Sequence, residues 1–314
     1  MSRKSLGKAI AKIILIGEHS VVYGMPAIAI PFYDAKIYTK IEEIQGEIQI
    51  ESNIFTGFLK DAPKVIEPIK DIIIKIFKDL NKKFYGLKFV VWGNIPYERG
   101  MGSSAALATS IIRSIYRYYG EKIDCTKILE LVNQTEDQIH GRSSGLDATV
   151  VVKEKPVYFV KGKTFNELEM NLDAFLLIAD TGVKGNTKEA IKGVVNFLEE
   201  DKNNYKYIEE LGNLADEARK CVEDNKAIRL GDLMNKSQEI LKKLQVSNEK
   251  LDKLVDTCLY MKALGAKLTG GGRGGCIISL FDRIDLAQKA SEKLKKDGAV
   301  NTWITYLGAD NEQS

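Results

Sequence analysis

The segment Asn94-Ile95-Pro96-Tyr97-Glu98-Arg99-Gly100-Met101-Gly102-Ser103-Ser104-Ala105-Ala106 constrains the fold more than any other stretch of this chain. Upstream, Leu87–Trp92 has the β-branched and aromatic composition of a strand. Downstream, Leu107, Ile111, Ile115 and Tyr119 recur at helical spacing until Gly120 ends the helix. A strand must therefore turn within a few residues into a helix that starts at or near Ser103 and Ser104. Unpaired backbone N–H groups and the positive end of the helix dipole gather there, and Gly100 and Gly102 carry no Cβ to hold an anion away from the backbone. The segment reads either as a phosphate site or as a capped helix after a turn. It is not a Walker loop, because no Gly-Lys-Ser/Thr closes it. Its Gly-x-Gly-x-x-Ala spelling also lacks the acidic residue that should end a second strand in a dinucleotide fold, since Glu121 merely follows the helix-stopping Gly120.

At 314 residues the chain has room for two domains, each able to bury its own core. Its 46 Lys and Arg exceed its 43 Asp and Glu by only three, which argues against nucleic acid or a membrane surface as partner. Runs such as Lys293-Leu294-Lys295-Lys296 read as solvated helix faces. Cys125, Cys221, Cys258 and Cys276 are widely spaced, suggest neither a disulfide framework nor zinc, and read as reduced core thiols. The apolar run Ile13–Ile16 is broken at once by Gly17-Glu18-His19, too short for a signal sequence or a span, so the expected location is cytoplasmic.

Strand-like segments lie at Lys12–Ile16, Ala35–Glu43, Glu47–Ser52, Leu87–Trp92 and Ala148–Val152. Helical spacing covers Ile66–Leu80, Ser103–Tyr119 and Thr126–Ile139, the last with Thr126 as its N-cap. Glu136 and His140, four apart, share the polar side or the end of that third helix. Composition turns polar around residues 153–163, and the division is placed near residue 170, giving segments 1–170 and 171–314. The second segment is helix-rich. Asn186-x-x-Glu189 opens its first helix, patterns follow near 206–224, 227–244 and 248–263, strands at Ala266–Thr269 and Cys276–Phe281 flank a glycine run, and Leu286–Lys296 precedes a final strand at Asn301–Tyr306. The fold class is α+β.

Three signals stand in order along the chain: Gly17-Glu18-His19-Ser20-Val21-Val22-Tyr23-Gly24, the Gly100–Ala106 turn, and Leu268-Thr269-Gly270-Gly271-Gly272-Arg273-Gly274-Gly275-Cys276. Together they resemble the GHMP small-molecule kinases, the superfamily of galacto-, homoserine, mevalonate and phosphomevalonate kinases. The Glu-His-x-Val-Val-Tyr-Gly form, with Ser144-Gly145-Leu146-Asp147-Ala148 and Asp180-Thr181-Gly182, is most similar to the branch that phosphorylates mevalonate, and the wording Arg99–Ser104 resembles its bacterial members.

The resemblance implies a two-domain GHMP kinase fold: an N-terminal ATP-binding domain like the second domain of ribosomal protein S5 (1–170), a ferredoxin-like C-terminal domain (171–314), and ATP and mevalonate in a cleft between them. It implies that Pro96, Arg99, Gly100, Met101, Gly102, Ser103, Ser104, Ala105 and Ala106 wrap the triphosphate. By the same resemblance Ser104 and Glu136 ligate Mg²⁺, Asp147 is the catalytic base for the C5 hydroxyl, and Lys12 lies beside it. Glu18 and His19 would orient the hydroxy acid, with Thr181, Thr269 and Gly270 completing the site from the second domain. A homodimer is among the assemblies left open.

Several positions depart from the family pattern. Ala9-Ile10-Ala11-Lys12 replaces Ala-Pro-Gly-Lys, Glu98-Arg99 stands where many members have a small residue or glycine, Arg142-Ser143 replaces Asn-Pro, and Arg273 interrupts the last glycine run, where it either reaches a phosphate or carboxylate or projects into solvent. Bland readings stand beside the functional ones. Asp147 could cap a turn before a strand, Glu136 could be a solvated helix residue, Lys12 a charge flanking a strand, and His140 a helix-ending residue. Two rival functions remain: phosphomevalonate kinase or another member of the superfamily, and a ligand-binding regulator that keeps the fold without turnover.

Overall fold

A computed structural model describes residues 5–141, 143–163 and 165–308, so the Arg142 departure lies outside the described residues. The chain forms two compact units. The first takes residues up to Lys12, Pro31–Pro96 and Gly102–Glu154, and the second takes Ile13–Ile30, Tyr97–Met101 and the residues from Lys155 onward.

The first unit carries β1 (Gly7–Ile16), most of β2 (Pro26–Glu43), β3 (Gln49–Glu51), β4 (Thr56–Phe58), α1 (Glu67–Asp79), β5 (Leu87–Gly93), α2 (Ser103–Tyr119), α3 (Cys125–His140) and α4 (Leu146–Lys153); β1 and β2 run on into the second unit. Residues 37–43 of β2 pair antiparallel with β5, which pairs parallel with β3 and through it with β4. The four helices pack on one another, with α2 buried along most of its length from Ala105 to Tyr118. Two of its buried hydroxyls are satisfied locally: Ser110 and Ser114 donate to the carbonyls of Leu107 and Ile111. Arg113 of α2 donates to the carbonyls of Lys8 and Val152, tying β1 to the end of α4.

The sequence reading is corrected in three places here. Ala148–Val152 is helical, as part of α4. β-branched residues favour strands because they fit a half-buried pleated surface, but Leu146, Ala148 and Val150–Val152 are buried against α2 and α3, and packing decides over propensity. The N-cap of α3 is Asp124, whose carboxylate accepts from the Lys127 N–H, two residues earlier than Thr126. Finally, Cys221, Cys258 and Cys276 are buried free thiols as read, but Cys125 is exposed.

In the second unit, residues 26–29 of β2 pair with β6 (Val157–Val160), which pairs with β7 (Asn166–Glu167). There follow β8 (Phe175–Asp180), α5 (Thr187–Glu200), α6 (Tyr205–Glu223), α7 (Ala227–Lys243), α8 (Glu249–Tyr260), β9 (Gly265–Thr269), β10 (Cys276–Phe281), α9 (Ile284–Lys296) and β11 (Asn301–Tyr306). An antiparallel sheet of order β11-β8-β10-β9 packs against α7, α8 and α9. The caps of α5 and α8 are Asn186 and Asn248, each accepting from the N–H three residues on. Among the described residues no helix is long and apolar enough to cross a membrane.

β1 lies so close to α2 that a Cβ on Gly7 would sit 1.9 Å from the Ser110 carbonyl oxygen. Gly7→Ala must push strand and helix apart. A loss of about 3 kcal/mol is expected, read as a lower midpoint in urea unfolding with the slope unchanged; an unaltered midpoint would contradict this packing.

Candidate active site

Lys12, near the middle of β1, is 1% exposed, and its ammonium meets Asp147 Oδ1 at 2.9 Å. A lysine so buried needs a counter-charge, and Asp147 supplies it from the second position of α4. There the positive end of the helix dipole also favours the carboxylate. Asp147 is about one-third exposed while its partner is sealed, so the pair presents a single carboxylate to solvent. Gly102 makes room for this lysine, since a Cβ there would stand 2.9 Å from Lys12 Cγ, and its φ of +72° is one an L side chain rarely adopts.

Glu136 is 3% exposed rather than on a solvated helix face, which corrects the polar-side reading of α3. The Ser104 hydroxyl, in the first turn of α2, hydrogen-bonds to its carboxyl, but Oε1 is buried with no partner. Burial first, and Asp147 second, push the Glu136 carboxyl up to about 7 against the opposing pull of Ser104 and Lys12. His140 Nε2 lies 3.7 Å from Glu136 Oε2. Burial lowers the histidine as it raises the acid, so the contact joins two groups that each resist charge and is a weak ion pair at most. Lys12, Ser104, Glu136 and Asp147 thus gather in the first unit, with His140 beside them.

The residues predicted on the acceptor side, Glu18, His19, Thr181, Thr269 and Gly270, gather in the second unit. Glu18 forms an ion pair with Lys267, and the side chains of both are fully buried. The Lys267 ammonium also donates to the Leu268 carbonyl at 2.7 Å, while Glu18 Oε2 is buried without a partner. Thr269 donates to the Ile14 carbonyl at 2.8 Å, and Thr181 Oγ1 to the Gly275 carbonyl at 2.7 Å. His19 Nε2 donates to the Gly271 carbonyl at 3.1 Å. Burial, opposed by that hydrogen bond and assisted by Lys267 and Arg273, lowers His19 to about 4, so the ring is neutral and its Nδ1 remains an acceptor. Gly270 and Gly100 face each other at backbone distance, since a Cβ on Gly270 would lie 2.6 Å from the Gly100 Cα.

Of the eight described non-glycine residues with positive φ, His19 (63°) and Arg273 (56°) lie in the first and third motifs and Glu98 (57°) lies two residues ahead of the Gly100–Ala106 turn. Such conformations persist only where tertiary contacts hold them, and they concentrate at working sites. Arg99 spends its guanidinium within the second unit, on Asp180 at 2.9 Å and the Gly182 carbonyl at 3.0 Å. Arg273 is half-buried and lies over Gly193 of α5, so neither of its two readings describes it fully. Of the loop residues, Met101, Ala105 and Ala106 have buried side chains and could offer a ligand only backbone, whereas Pro96, Gly100, Ser103 and Ser104 are part-exposed. Lys267 was missed in the sequence. Its signal was one cation inside the otherwise uncharged strand Gly265-Ala266-Lys267-Leu268-Thr269.

This arrangement, a carboxylate held by a buried lysine, a hydroxyl at the start of α2 and an unsatisfied carboxyl oxygen near the end of α3, suits transfer of a phosphoryl group to a hydroxyl. Known families agree. A family model described as GHMP kinases N terminal domain matches residues 69–155, and one described as GHMP kinases C terminal matches residues 218–300. The chain belongs to the GHMP kinases.

Within that family it is similar to the mevalonate kinase of Pyrococcus furiosus, 33% identical over 300 residues that cover 88% of this chain and 89% of the relative. The crystal structure of the Methanococcus jannaschii mevalonate kinase superposes with a TM-score of 0.83 at 26% identity, covering 96% of this chain and 98% of that one. That of Staphylococcus aureus mevalonate kinase gives 0.74 at 31%, with the same coverage. The curated relatives at 33–34% identity are archaeal and the S. aureus structure is 31% identical, so the likeness is to mevalonate kinases and not to bacterial members specifically.

A buried neutral His19 makes stability depend on pH. The unfolded chain takes up a proton near the ordinary value of 6.5, the folded one only near 4, so this contribution is present above 6.5 and lost as pH falls toward 4. The loss amounts to about 3 kcal/mol. In His19→Gln, unfolding free energy should fall less steeply than in wild type between those limits; parallel curves would show that His19 is not held neutral.

Proposed function

We propose that this protein is an ATP-dependent kinase that phosphorylates the C5 hydroxyl of mevalonate, giving 5-phosphomevalonate for isoprenoid synthesis. The observation that carries the reaction type is the Lys12–Asp147 pair at 2.9 Å, with the Glu136 carboxyl and the start of α2 in the same unit. The choice of mevalonate is supported by relatives of that name at one-third identity over nearly nine-tenths of the chain. Residues 1–170 are read as the ATP-binding domain and 171–314 as the C-terminal GHMP kinase domain, in a protein of the cytoplasm.

Asp147 accepts the proton of the C5 hydroxyl, or holds that hydroxyl in line, as it attacks the γ-phosphate. A loose phosphoryl-transfer transition state asks little of a base, so positioning is the larger part of the task. Lys12 fixes Asp147 and offsets negative charge developing on the transferred group. The N–H groups at the start of α2 and the Pro96–Ala106 backbone bind the triphosphate. Ser104 and Glu136 would hold Mg²⁺, and the fit rests on the partnerless buried Glu136 Oε1 and the raised pKa of its acid, both of which a cation would relieve. That metal would supply charge neutralisation on the phosphates. Among the described residues no cluster of three or more His, Cys, Asp or Glu could hold a metal. Glu18, His19, Thr181, Thr269 and Gly270 serve the acceptor.

The test is ADP release with ATP, Mg²⁺ and, in turn, mevalonate, phosphomevalonate, homoserine and galactose. Turnover with mevalonate alone is expected; turnover only with another acceptor would overturn the substrate, and ATP binding without any turnover would favour a ligand-binding regulator. Asp147→Asn should lower kcat by about a hundredfold or more with ATP affinity kept, and normal turnover would remove Asp147 from its role. Ser104→Ala should raise the Mg²⁺ concentration needed for half-maximal rate, and an unchanged metal titration would contradict that ligand.

A further inference from the structure

We propose that Lys267 is a positioning residue for the acceptor substrate, fixing the Gly17–Ser20 turn to the entrance of the 270–275 loop through Glu18. The inference rests on the reading of Glu18 and His19 as acceptor-side groups, and it assigns a task to a lysine that lies outside all three motif signals. Two fully buried charges are costly to desolvate, and apolar residues of similar size commonly serve stability as well or better. Placement is what the pair gives in return. The Lys267 ammonium bonds both Glu18 and the Leu268 carbonyl, so one group clamps the turn and its own strand together.

Two further links run in parallel, Thr269 to the Ile14 carbonyl and His19 to the Gly271 carbonyl. Their common result is to hold His19 at a φ of +63°, which a non-glycine residue does not keep unaided. Lys267 occupies one oxygen of Glu18 and leaves Oε2 with no partner, so the carboxylate is both oriented and still able to accept.

The experiment compares wild type with the size-matched double variant Glu18→Leu/Lys267→Met, which removes both charges and leaves neither stranded. Wild type is run first on the four acceptors. Turnover of one other than mevalonate overturns the proposed substrate, and the variants are then compared on that acceptor. The double variant should melt close to wild type, with KM for the acceptor raised about tenfold or more and KM for ATP within about twofold. A double variant whose acceptor KM stays within about twofold of wild type would reduce the pair to core filling and overturn the proposal.

If the double variant does not fold, Lys267→Arg, which keeps a cation beside Glu18 but shifts the donor that fixes it, should show the same split between the two KM values; an acceptor KM within about twofold of wild type would overturn the proposal. The readout independent of turnover is the His19 ring. The chain has only two histidines, so its NMR signals are readable. In the double variant the His19 titration should move up and its shift change; an unmoved signal would overturn the coupling, whatever the enzyme's activity.

Discussion

A lysine sealed inside a strand is the constraint on which the first unit depends. Lys12 cannot leave β1, and once buried it requires a carboxylate within reach. That carboxylate has to arrive on a rigid element, which is why α4 opens at Gly145, in the left-handed conformation, and places Asp147 in its first turn. The same requirement shapes α2: Gly102 must lack a side chain for the lysine stem to pass, and the residue that follows begins the helix, whose first N–H groups have no partner within it. Strand, turn and two helix starts are consequences of one buried charge and its partner.

The second unit solves an analogous problem with Glu18 and Lys267, but with both members fully buried. The first pair keeps one carboxylate open to solvent and so has a group that can act on a proton. The second keeps none open, and its effect is exerted through the backbone of the segments it joins. The neutral His19 follows from this, because burial and the nearby Lys267 both disfavour a charge on the ring.

Much of the fold was legible where local chemistry decides. The start of α2 after two glycines, the Asn186 cap of α5 and the strands flanking the glycine run follow from turn and cap preferences that act within a few residues. α4 was not legible, because a valine run states only that it will be buried, and the neighbours that make it a helix are α2 and α3, far away in sequence. The burial of Glu136 escaped for a similar reason. Spacing placed it with His140, but which side of α3 meets α2 and α4 is a tertiary fact. The candidate site was readable as motifs, whereas Lys267 was visible only as a lone cation in an uncharged strand, a pattern shared by many exposed edge strands.

The cysteines were read as one class, and the structure divides them. Burial raises the Cys258 thiol to about 12 and Cys276 well above its ordinary value, and Cys221 is also buried, whereas Cys125 opens α3 at the surface. Thiolate chemistry therefore has one addressable position on the native protein. A maleimide dye attached there would ride on the same helix as Glu136, giving an optical reporter of that helix with no engineered residue.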